Sequence, residues 1–437
     1  MTDSSSTSPE TIAIPAGLPA AGELVVPPSK SVTNRLCNLA LVAWRPVTLV
    51  RPLRADDTAH FFAALRRLGF RVEEGPEEVA LAPPPAPPAR ARFDCGESGT
   101  LLRLLIAALA TLEGVYEVDG APRLRERPVG PLVAALAALG VRIDYLGTPG
   151  YPPLRIAGGT LAGGRVSVDA GSSSQFLSAL LMAATRAAAP VEIEVPALVS
   201  GPYVELTLDL LARQGGRIER LAADRYAVTP GPLAGGRLEV EGDYSAAAYP
   251  AAAAALTGGR VRLHGLRRDS RQGDRELLDL LARMGAGVRW GEGWVEVSGG
   301  ELRGLAADAG RIPDQVPTLA ALAPFCSGES RFTGAAHLRL KESDRIAAMA
   351  SELRRAGAEA TELPDGIAVA GRWAASAPPE SPVEIATWGD HRIAMAMALV
   401  GLRRPGLRIA NPGVVAKSYP GFWDDLGRLL GRPLRGR

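Results

Sequence analysis

The chain has 437 residues, of which 47% are hydrophobic, so it is long enough to bury large cores and to form two or more domains. A formal net charge of only +2 excludes a general nucleic-acid binder, because no strongly basic surface follows from the composition. No apolar run reaches the ~18 residues that a membrane span needs, and the Ser/Thr-rich start lacks a signal-peptide pattern, so we expect a cytoplasmic protein that does not contact a membrane.

A glycine that follows a helical run recurs along the chain at intervals of about 70 residues. The positions are Gly69, Gly140, Gly215, Gly285 and Gly357. Glycine after the last helical residue supplies the left-handed backbone that ends a helix. The regular interval predicts a repeated structural unit.

A second pattern places a short strand, a small polar turn and an Ala- and Leu-rich helix at six points of the chain. The predicted strands are 24–26, 93–95, 166–168, 238–240, 311–313 and 385–387, and the polar turns that open the helices are 29–31, 97–100, 172–175, 243–245, 314–315 and 389–392. Such joints at one period predict six copies of one supersecondary unit. The Pro- and Ala-rich stretches 82–89 and 374–382 are interpreted as loops between units.

All but three of the 49 basic side chains are arginine, and the exceptions are Lys30, Lys341 and Lys417. Lysine offers a compact, titratable ammonium, whereas arginine offers a planar and permanently charged fork. Each lysine has a hydroxyl or a charged residue beside it, as in Lys30-Ser31 and Lys341-Glu342. These positions therefore favour anion binding over a solvated surface.

Each predicted joint presents a helix N-terminus, with unpaired N–H groups and roughly +0.5 of an elementary charge. Ser, Thr, Asp and Gly are also good helix caps, so capping alone is the alternative explanation for any one of them. Capping does not explain why Arg35, Arg103, Asp314, His391 and Arg392 lie at the same joints. The pattern predicts a cleft that binds phosphates and carboxylates.

The sequence lacks the phosphate-binding Gly-x-x-x-x-Gly-Lys-Ser/Thr loop and the Gly-x-Gly-x-x-Gly dinucleotide motif. Three cysteines and four histidines have no metal-ligand spacing, so no metal site is expected. The carboxylates Asp314, Glu342, Asp344 and Asp390 lie among the cations. Such a set suits acid–base chemistry on a phosphorylated substrate.

Motifs at these positions are similar to those of the 3-phosphoshikimate 1-carboxyvinyltransferases, the 5-enolpyruvylshikimate-3-phosphate synthase family. The similar segments follow the family's order from about Pro15 to about Leu430. They are Lys30–Arg35, Gly99-Thr100, Arg125–Pro128, Ser173–Phe176, Asp314, Lys341–Arg345, Asp390–Arg392 and Lys417. One short motif recurs by chance, but the whole ordered series does not.

The resemblance implies an α/β (α+β) inverted-barrel fold of six βαβαββ repeats, three in each of two domains, with the active site in a cleft between the domains. It assigns residues 1–28 and 241–437 to one domain and 29–240 to the other. The implied reaction transfers the enolpyruvyl group of phosphoenolpyruvate to the 5-hydroxyl of shikimate 3-phosphate and releases phosphate, in aromatic amino acid biosynthesis. The resemblance further implies a monomer without cofactors or metal, with these two small molecules as its substrates, and inhibition by glyphosate.

The resemblance also implies roles for individual residues. Asp314 would be the catalytic base and Glu342 the acid, with Lys30 assisting proton transfer. The residues expected to bind shikimate 3-phosphate are Lys30, Ser31, Arg35, Ser173, Ser174, Gln175, Ser200, Tyr203, Asp314, His337 and Lys341. Those expected to bind phosphoenolpyruvate are Lys30, Gly99, Arg127, Gln175, Arg345, His391, Arg392 and Lys417.

Three positions depart from the family pattern: Glu97 and His337 replace the usual Asn, and Leu104 replaces a frequent Pro. We expect these changes to alter affinities, including that for glyphosate, more than the reaction. One alternative is the sister transferase that acts on UDP-N-acetylglucosamine, but Ser31 stands where that enzyme has Asn, and its catalytic Cys is missing from 123–127. The other alternative is a catalytically inactive anion-binding relative, against which the retained catalytic carboxylates and lysines argue.

Overall fold

The computed structural model describes residues 10–371, 373 and 381–436 of the chain, which forms two compact units. The central unit is Pro27–Asp243 together with Arg268–Gly273. The terminal unit contains the described residues up to Val26, the stretch Tyr244–Arg267 and the described residues from Asp274 onward. The predicted domain boundaries, between residues 28 and 29 and between residues 240 and 241, stay a prediction.

The central unit has its own hydrophobic core, in which the helices Lys30–Ala43, Gly99–Leu109 and Gln175–Ala184 pack on one another. Its helices are α1 (Lys30–Ala43), α2 (Asp56–Arg67), α3 (Gly99–Leu109), α4 (Gly130–Ala138), α5 (Gln175–Ala184) and α6 (Pro202–Arg213). Its strands are β3 (Val47–Val50), β4 (Arg71–Glu74), β5 (Glu78–Ala82), β6 (Arg90–Asp94), β7 (Gly114–Asp119), β8 (Arg142–Tyr145), β9 (Leu154–Gly158), β10 (Gly164–Ser167), β11 (Val191–Glu194), β12 (Arg217–Ala222), β13 (Arg225–Thr229) and β14 (Gly236–Glu239).

The terminal unit also has its own core, around the packed helices Tyr244–Thr257, Val316–Leu322 and His391–Arg403. Its helices are α7 (Tyr244–Thr257), α8 (Glu276–Met284), α9 (Val316–Leu322), α10 (Arg345–Arg355), α11 (His391–Arg403) and α12 (Phe422–Leu429). Its strands are β1 (Thr11–Ala13), β2 (Ala21–Val25), β15 (Arg260–His264), β16 (Gly287–Gly291), β17 (Trp294–Ser298), β18 (Ala306–Asp308), β19 (Ser330–Thr333), β20 (Ala360–Leu363), β21 (Gly366–Val369), β22 (Val383–Ile385) and β23 (Leu407–Ala410). None of the helices described in either unit is long and apolar enough to cross a bilayer.

The predicted sixfold repeat is confirmed by the sheets of the described residues. In the unit that starts at β6, the order is β6-β7-β9-β8: β6 and β7 are parallel, and the later strands pair antiparallel. The sheets β10-β11-β13-β12, β14-β3-β5-β4, β2-β15-β17-β16 and β18-β19-β21-β20 repeat this order, and β22-β23-β1 repeats part of it. In the repeats that start at β6, β10 and β18, helices connect the first three strands along the chain, which gives the βαβαββ pattern.

The glycines predicted to end helices do so in the structure. Gly69, Gly140, Gly215, Gly285 and Gly357 have φ angles of 87°, 93°, 80°, 111° and 101°. This left-handed backbone carries no side-chain penalty in glycine, so each helix can stop there and turn into the next strand. The repeat was therefore detectable because its most regular signal is a local backbone requirement.

One predicted strand is wrong in position, at the fifth joint. The strand was expected at 311–313, but β18 ends at Asp308, and the Asp308 carboxylate accepts the N–H of Gly310 at 2.7 Å to form a turn. A 3₁₀ turn at Pro313–Gln315 then leads into α9. Proline has no N–H to donate to a sheet, which favours the helical start. Residues 83–89 form the first predicted loop, while most of the second, 374–382, lies outside the described residues.

Candidate functional site

Lys30 is the first residue of α1, directly after the helix-capping Ser29. Its ammonium lies 3.0 Å from Oδ2 of Asp57, and both side chains are largely buried. Its backbone N–H donates to the carboxylate of Asp243 at 2.9 Å. Asp57 has no sequence signal of its own, because an acidic residue in the first turn of a helix is ordinarily explained by the helix dipole. The two carboxylates fix both the backbone and the ammonium of Lys30.

Arg35 lies one turn further along α1 and is buried. Its guanidinium donates to Thr207 at 2.8 Å and to the carbonyls of Ser31 and Tyr203 at 3.1 Å each. Burial lowers the pKa of Arg35 to about 10, with a smaller opposing effect from Tyr203. No carboxylate among the described residues contacts this guanidinium. A buried cation held only by neutral oxygens is suited to an anionic ligand.

Gly99 begins α3, and the buried guanidinium of Arg127 lies directly against it. A Cβ atom at Gly99 would lie 2.6 Å from Cζ of Arg127. Arg103 donates to Oε1 of Gln175 at 2.7 Å, and Nε2 of Gln175 donates to Thr100 at 2.8 Å. These bonds join the beginning of α3 to the beginning of α5. Arg103 was noted at this joint from the sequence but was not assigned to the site.

The predicted serines lie just before α5 and α6. Ser173 and Ser174 are buried, and Oγ of Ser173 accepts the N–H of Gln175 at 3.3 Å. Ser200 precedes α6 with a left-handed φ of 52°, and the ring of Tyr203 lies 5.9 Å from Cζ of Arg35. The structure thus brings Tyr203 to Arg35. Among the described residues, no hydrogen bond joins the Ser173-Ser174 pair to Arg35 or Lys30.

Arg345, the first residue of α10, organises the predicted residues of the terminal unit. Its Nε donates to Asp390 at 2.7 Å, its Nη1 to Asp314 at 2.9 Å, and its Nη2 to Glu342 at 2.7 Å. Burial disfavours its charge, but Asp390, Glu342 and Asp314 outweigh burial and raise the pKa of Arg345 above its usual value. Residues from different parts of the sequence are therefore gathered around one guanidinium.

Asp314 binds a second guanidinium, since Oδ2 accepts from Nη2 of Arg392 at 2.8 Å. Burial raises the pKa of Asp314, but Arg392, Arg345 and Lys341 outweigh burial and hold it well below its usual range. Asp390 is fully buried, accepts from Ser343 at 3.0 Å and caps α11 by accepting the N–H of Arg392 at 2.9 Å. The two carboxylates thus fix the orientations of Arg345 and Arg392.

The remaining predicted cations of the terminal unit lie near the same carboxylates. The Lys417 ammonium is 3.8 Å from Oε1 of Glu342, and Nδ1 of His391 is 3.6 Å from Oδ1 of Asp390. Lys341 is half-buried, at the end of a 3₁₀ turn that contains the buried His337. Burial, with Lys341 nearby, lowers the pKa of His337 to about 4, so this imidazole is neutral near pH 7.

Asp274 is a buried acid that belongs to none of the sequence motifs. Its carboxylate contacts the hydroxyl of Ser245, and burial, with a contribution from Asp314, raises its pKa to about 6. Asp274 follows Gln272 and Gly273, and no sequence pattern distinguishes this tripeptide from a surface turn. Of the positions that depart from the family pattern, Glu97 is exposed and Leu104 is buried in α3.

A sequence model of the family described as EPSP synthase (3-phosphoshikimate 1-carboxyvinyltransferase) matches residues 15–426, nearly the whole chain. The chain belongs to the EPSP synthase family. A 3-phosphoshikimate 1-carboxyvinyltransferase of Syntrophobacter fumaroxidans is 47% identical over 416 residues, which are 93% of this chain and 96% of the relative. One from Methanoculleus marisnigri is 43% identical, over 92% of this chain and 94% of the relative.

Solved structures agree with this membership. The structure of the EPSP synthase from Acinetobacter baumannii superposes with a TM-score of 0.78 at 28% identity, over 98% of this chain and 100% of that chain. The predicted α/β family fold is therefore confirmed. The EPSP synthase model matches segments of both compact units, and its range, residues 15–426, includes every residue of the predicted site.

Proposed function

We propose that this chain transfers the carboxyvinyl group of phosphoenolpyruvate to the 5-hydroxyl of shikimate 3-phosphate and releases phosphate, as a step of aromatic amino acid biosynthesis. Family membership supports the reaction, and the buried cations support the substrates. Each substrate carries a phosphate and a carboxylate, so roughly six negative charges need to be bound. The cations proposed for this task are Lys30, Arg35, Arg127, Lys341, Arg345, Arg392 and Lys417.

For shikimate 3-phosphate, we propose that Ser31 and Arg35 bind the carboxylate. The buried Arg35, which no described carboxylate neutralises, supports this role, because an arginine fork matches a carboxylate. Gln175 would lie beside the ring, and Asp314 and His337 at its hydroxyls. The residues proposed for the phosphate are Ser173, Ser174, Ser200, Tyr203 and Lys341.

For phosphoenolpyruvate, we propose a separate set of cations. The close approach of the Arg127 guanidinium to Gly99 supports a small anion pocket there, since glycine leaves the helix backbone accessible. Arginine forks suit the carboxylate, whereas the ammoniums of Lys30 and Lys417 suit the tetrahedral phosphate. The full proposed set is Lys30, Gly99, Arg127, Gln175, Arg345, His391, Arg392 and Lys417.

The observation that carries the mechanism is the pair of guanidiniums, Arg345 and Arg392, on Asp314. With both in place Asp314 is ionised but weakly basic, because its pKa lies well below its usual range. An anionic substrate that accepts hydrogen bonds from these guanidiniums would weaken their hold on Asp314 and raise its basicity. The proposed base therefore becomes effective when the anion that must react is bound.

The proposed chemistry is an addition followed by an elimination. Asp314 takes the proton of the 5-hydroxyl of shikimate 3-phosphate while the hydroxyl oxygen forms a bond to C2 of phosphoenolpyruvate. Glu342 gives a proton to the methylene carbon of phosphoenolpyruvate, which becomes a methyl group. Elimination returns a proton from that methyl group to Glu342, forms the carbon–carbon double bond and breaks the bond between C2 and the phosphate oxygen, which leaves as inorganic phosphate. Lys30, a compact ammonium bound to Asp57, assists proton transfer and stabilises the leaving phosphate.

The alternatives make different demands on the site. Transfer to UDP-N-acetylglucosamine finds no support in the matched relatives, whose names are those of the shikimate enzyme. A catalytically inactive relative would not need the proposed base and acid, Asp314 and Glu342, both of which accept hydrogen bonds from Arg345. We also propose that the chain is cytoplasmic and works as a monomer, and analytical ultracentrifugation at assay concentration would test the monomeric state.

The direct experiment is phosphate release from phosphoenolpyruvate with each acceptor. We expect turnover with shikimate 3-phosphate and none above background with UDP-N-acetylglucosamine. An Asp314→Asn variant keeps the shape of the side chain and removes the base, so it should lose at least ~100-fold in turnover. Activity with the nucleotide sugar, or with neither acceptor, would contradict the proposal.

A further inference from the structure

Glu352 is a buried carboxylate that no motif identified. It lies in α10 and is 2% exposed, and no cationic side chain among the described residues contacts it. Its Oε2 accepts the backbone N–H of Ala386 at 3.1 Å, and its Oε1 accepts the indole N–H of Trp388 at 3.0 Å. Burying a carboxylate without a cation costs free energy unless hydrogen bonds compensate. Both compensating donors lie in one short segment of the chain.

That segment, 386–389, contains two consecutive residues with a left-handed backbone. Trp388 has a left-handed φ of 55°, which is unfavourable for a bulky residue, and Gly389 follows with 66°. The Trp388 side chain is 53% exposed, so burial of its ring cannot account for the conformation. At the end of the segment, the N–H of the next residue, Asp390, donates to the carbonyl of Thr387 at 2.8 Å. The hydrogen bond from the indole to Glu352 is what ties the strained residue to the helix behind it.

Helix α10 therefore holds this stretch at two points. Arg345, at its start, binds the Asp390 carboxylate, and Glu352, seven residues later, binds Ala386 and Trp388. Seven residues are two helical turns, or about 10 Å along the axis. The two attachments fix both ends of the turn from which α11 begins. The first residues of α11 are His391 and Arg392.

We propose that Glu352 is a positioning residue for the binding of phosphoenolpyruvate. Its hydrogen bonds hold segment 386–389 so that His391 and Arg392 face this substrate in a fixed orientation. The inference rests on the function proposed above. Loss of the Glu352 hydrogen bonds would let Trp388 leave its left-handed conformation and would let the start of α11 shift. Since a misplacement of about 1 Å at a binding group is costly, affinity for this substrate should fall.

The test compares Glu352→Gln with the matched control Glu329→Gln, the same change at an exposed glutamate of the terminal unit. Glutamine can accept from only one of the two donors and places its own NH₂ group against the other. We expect the Michaelis constant for phosphoenolpyruvate to rise about 10-fold, the equivalent of ~1.4 kcal/mol. The constant for shikimate 3-phosphate should change less than twofold, and the control should match the wild type.

A second variant isolates the hydrogen bond at the exposed residue. Trp388→Phe removes the indole N–H and keeps an aromatic ring, so it should raise the same Michaelis constant by several-fold. Combined with Glu352→Gln it should add little, because both variants break the same contact. The Phe variant also provides the measurement if the Gln variant does not fold, as judged by its thermal unfolding.

Two results would overturn the proposal. One is a folded Glu352→Gln or Trp388→Phe variant whose Michaelis constant for phosphoenolpyruvate equals that of the wild type. The other is an equal rise in the constants for both substrates, which would indicate a general structural role. Failure of the proposed function would be recognised separately, because the wild type itself would then not release phosphate.

Discussion

Gly99→Ala is the perturbation whose effect follows most directly from the geometry. The added Cβ would lie 2.6 Å from Cζ and Nη2 of Arg127 and 2.7 Å from Nη1. Carbon atoms in ordinary contact are about 3.5–4.0 Å apart, so the guanidinium has to move by roughly 1 Å. Arg127 is buried, which leaves it little room to move away without changing its own contacts.

A displacement of this size at a substrate-binding group can cost on the order of 100-fold. We therefore expect the Michaelis constant for phosphoenolpyruvate to rise between about 10- and 100-fold, with a small change for shikimate 3-phosphate. Glyphosate, which we expect to compete with phosphoenolpyruvate and to bind best with shikimate 3-phosphate present, should inhibit the variant less than the wild type. Both constants come from initial rates of phosphate release over a matrix of substrate and inhibitor concentrations.

Gly159→Ala is the matched control, since a Cβ there has no atom within 4 Å and the backbone φ is not left-handed. It should leave both Michaelis constants unchanged. If Gly99→Ala binds phosphoenolpyruvate and glyphosate as the wild type does, Gly99 does not line this site and the reasoning from Arg127 is refuted.

Further predictions concern proton transfer and acid stability. Lys30→Arg keeps the charge but places a larger, planar head beside Asp57 that cannot give up a proton, so steady-state turnover should fall at least ~100-fold; a few-fold loss would refute the role. Folding lowers the pKa of His337 from 6.5 to about 4, so stability that is present above pH 6.5 is lost as the pH drops, by about 2 kcal/mol of unfolding free energy at pH 5. His337→Asn should remove this loss, as measured by urea unfolding at pH 7 and at pH 5. Asp274 has the opposite effect on stability. Because folding raises its pKa from 3.8 to about 6, acidification from pH 7 to 5 should increase the free energy of unfolding by about 1 kcal/mol, and Asp274→Asn should abolish that gain. Equal acid sensitivity of all three proteins would contradict both assignments.

The sequence predicted the repeat because its signals are local. A helix that must stop and turn needs a left-handed residue, and Gly69 or Gly285 supplies it without a side-chain penalty. The fifth joint was misplaced because the strand ends before the apolar pair Ile312-Pro313, where the sequence pattern suggested that it should continue. Propensity alone cannot distinguish a 3₁₀ start from a short strand at such a residue.

The partners of the site residues were not predictable in the same way. Arg345 could be assigned from its motif, but its bonds to Asp314 and Asp390 cross 31 and 45 positions of the chain. The acid Asp274 and the glutamate Glu352 have no distinctive neighbours in sequence, and only burial and hydrogen bonding set them apart. These properties arise from long-range packing, so they had to come from the folded structure.

The most direct test of the account is isotopic labelling of the product formed in D₂O. If Glu342 adds a solvent-derived proton to the methylene carbon before phosphate leaves, the carboxyvinyl group of the product should contain deuterium, as measured by mass spectrometry and NMR. Glu342→Gln should slow product formation at least ~100-fold. A product that forms at the normal rate without deuterium would contradict the addition–elimination chemistry proposed for these residues.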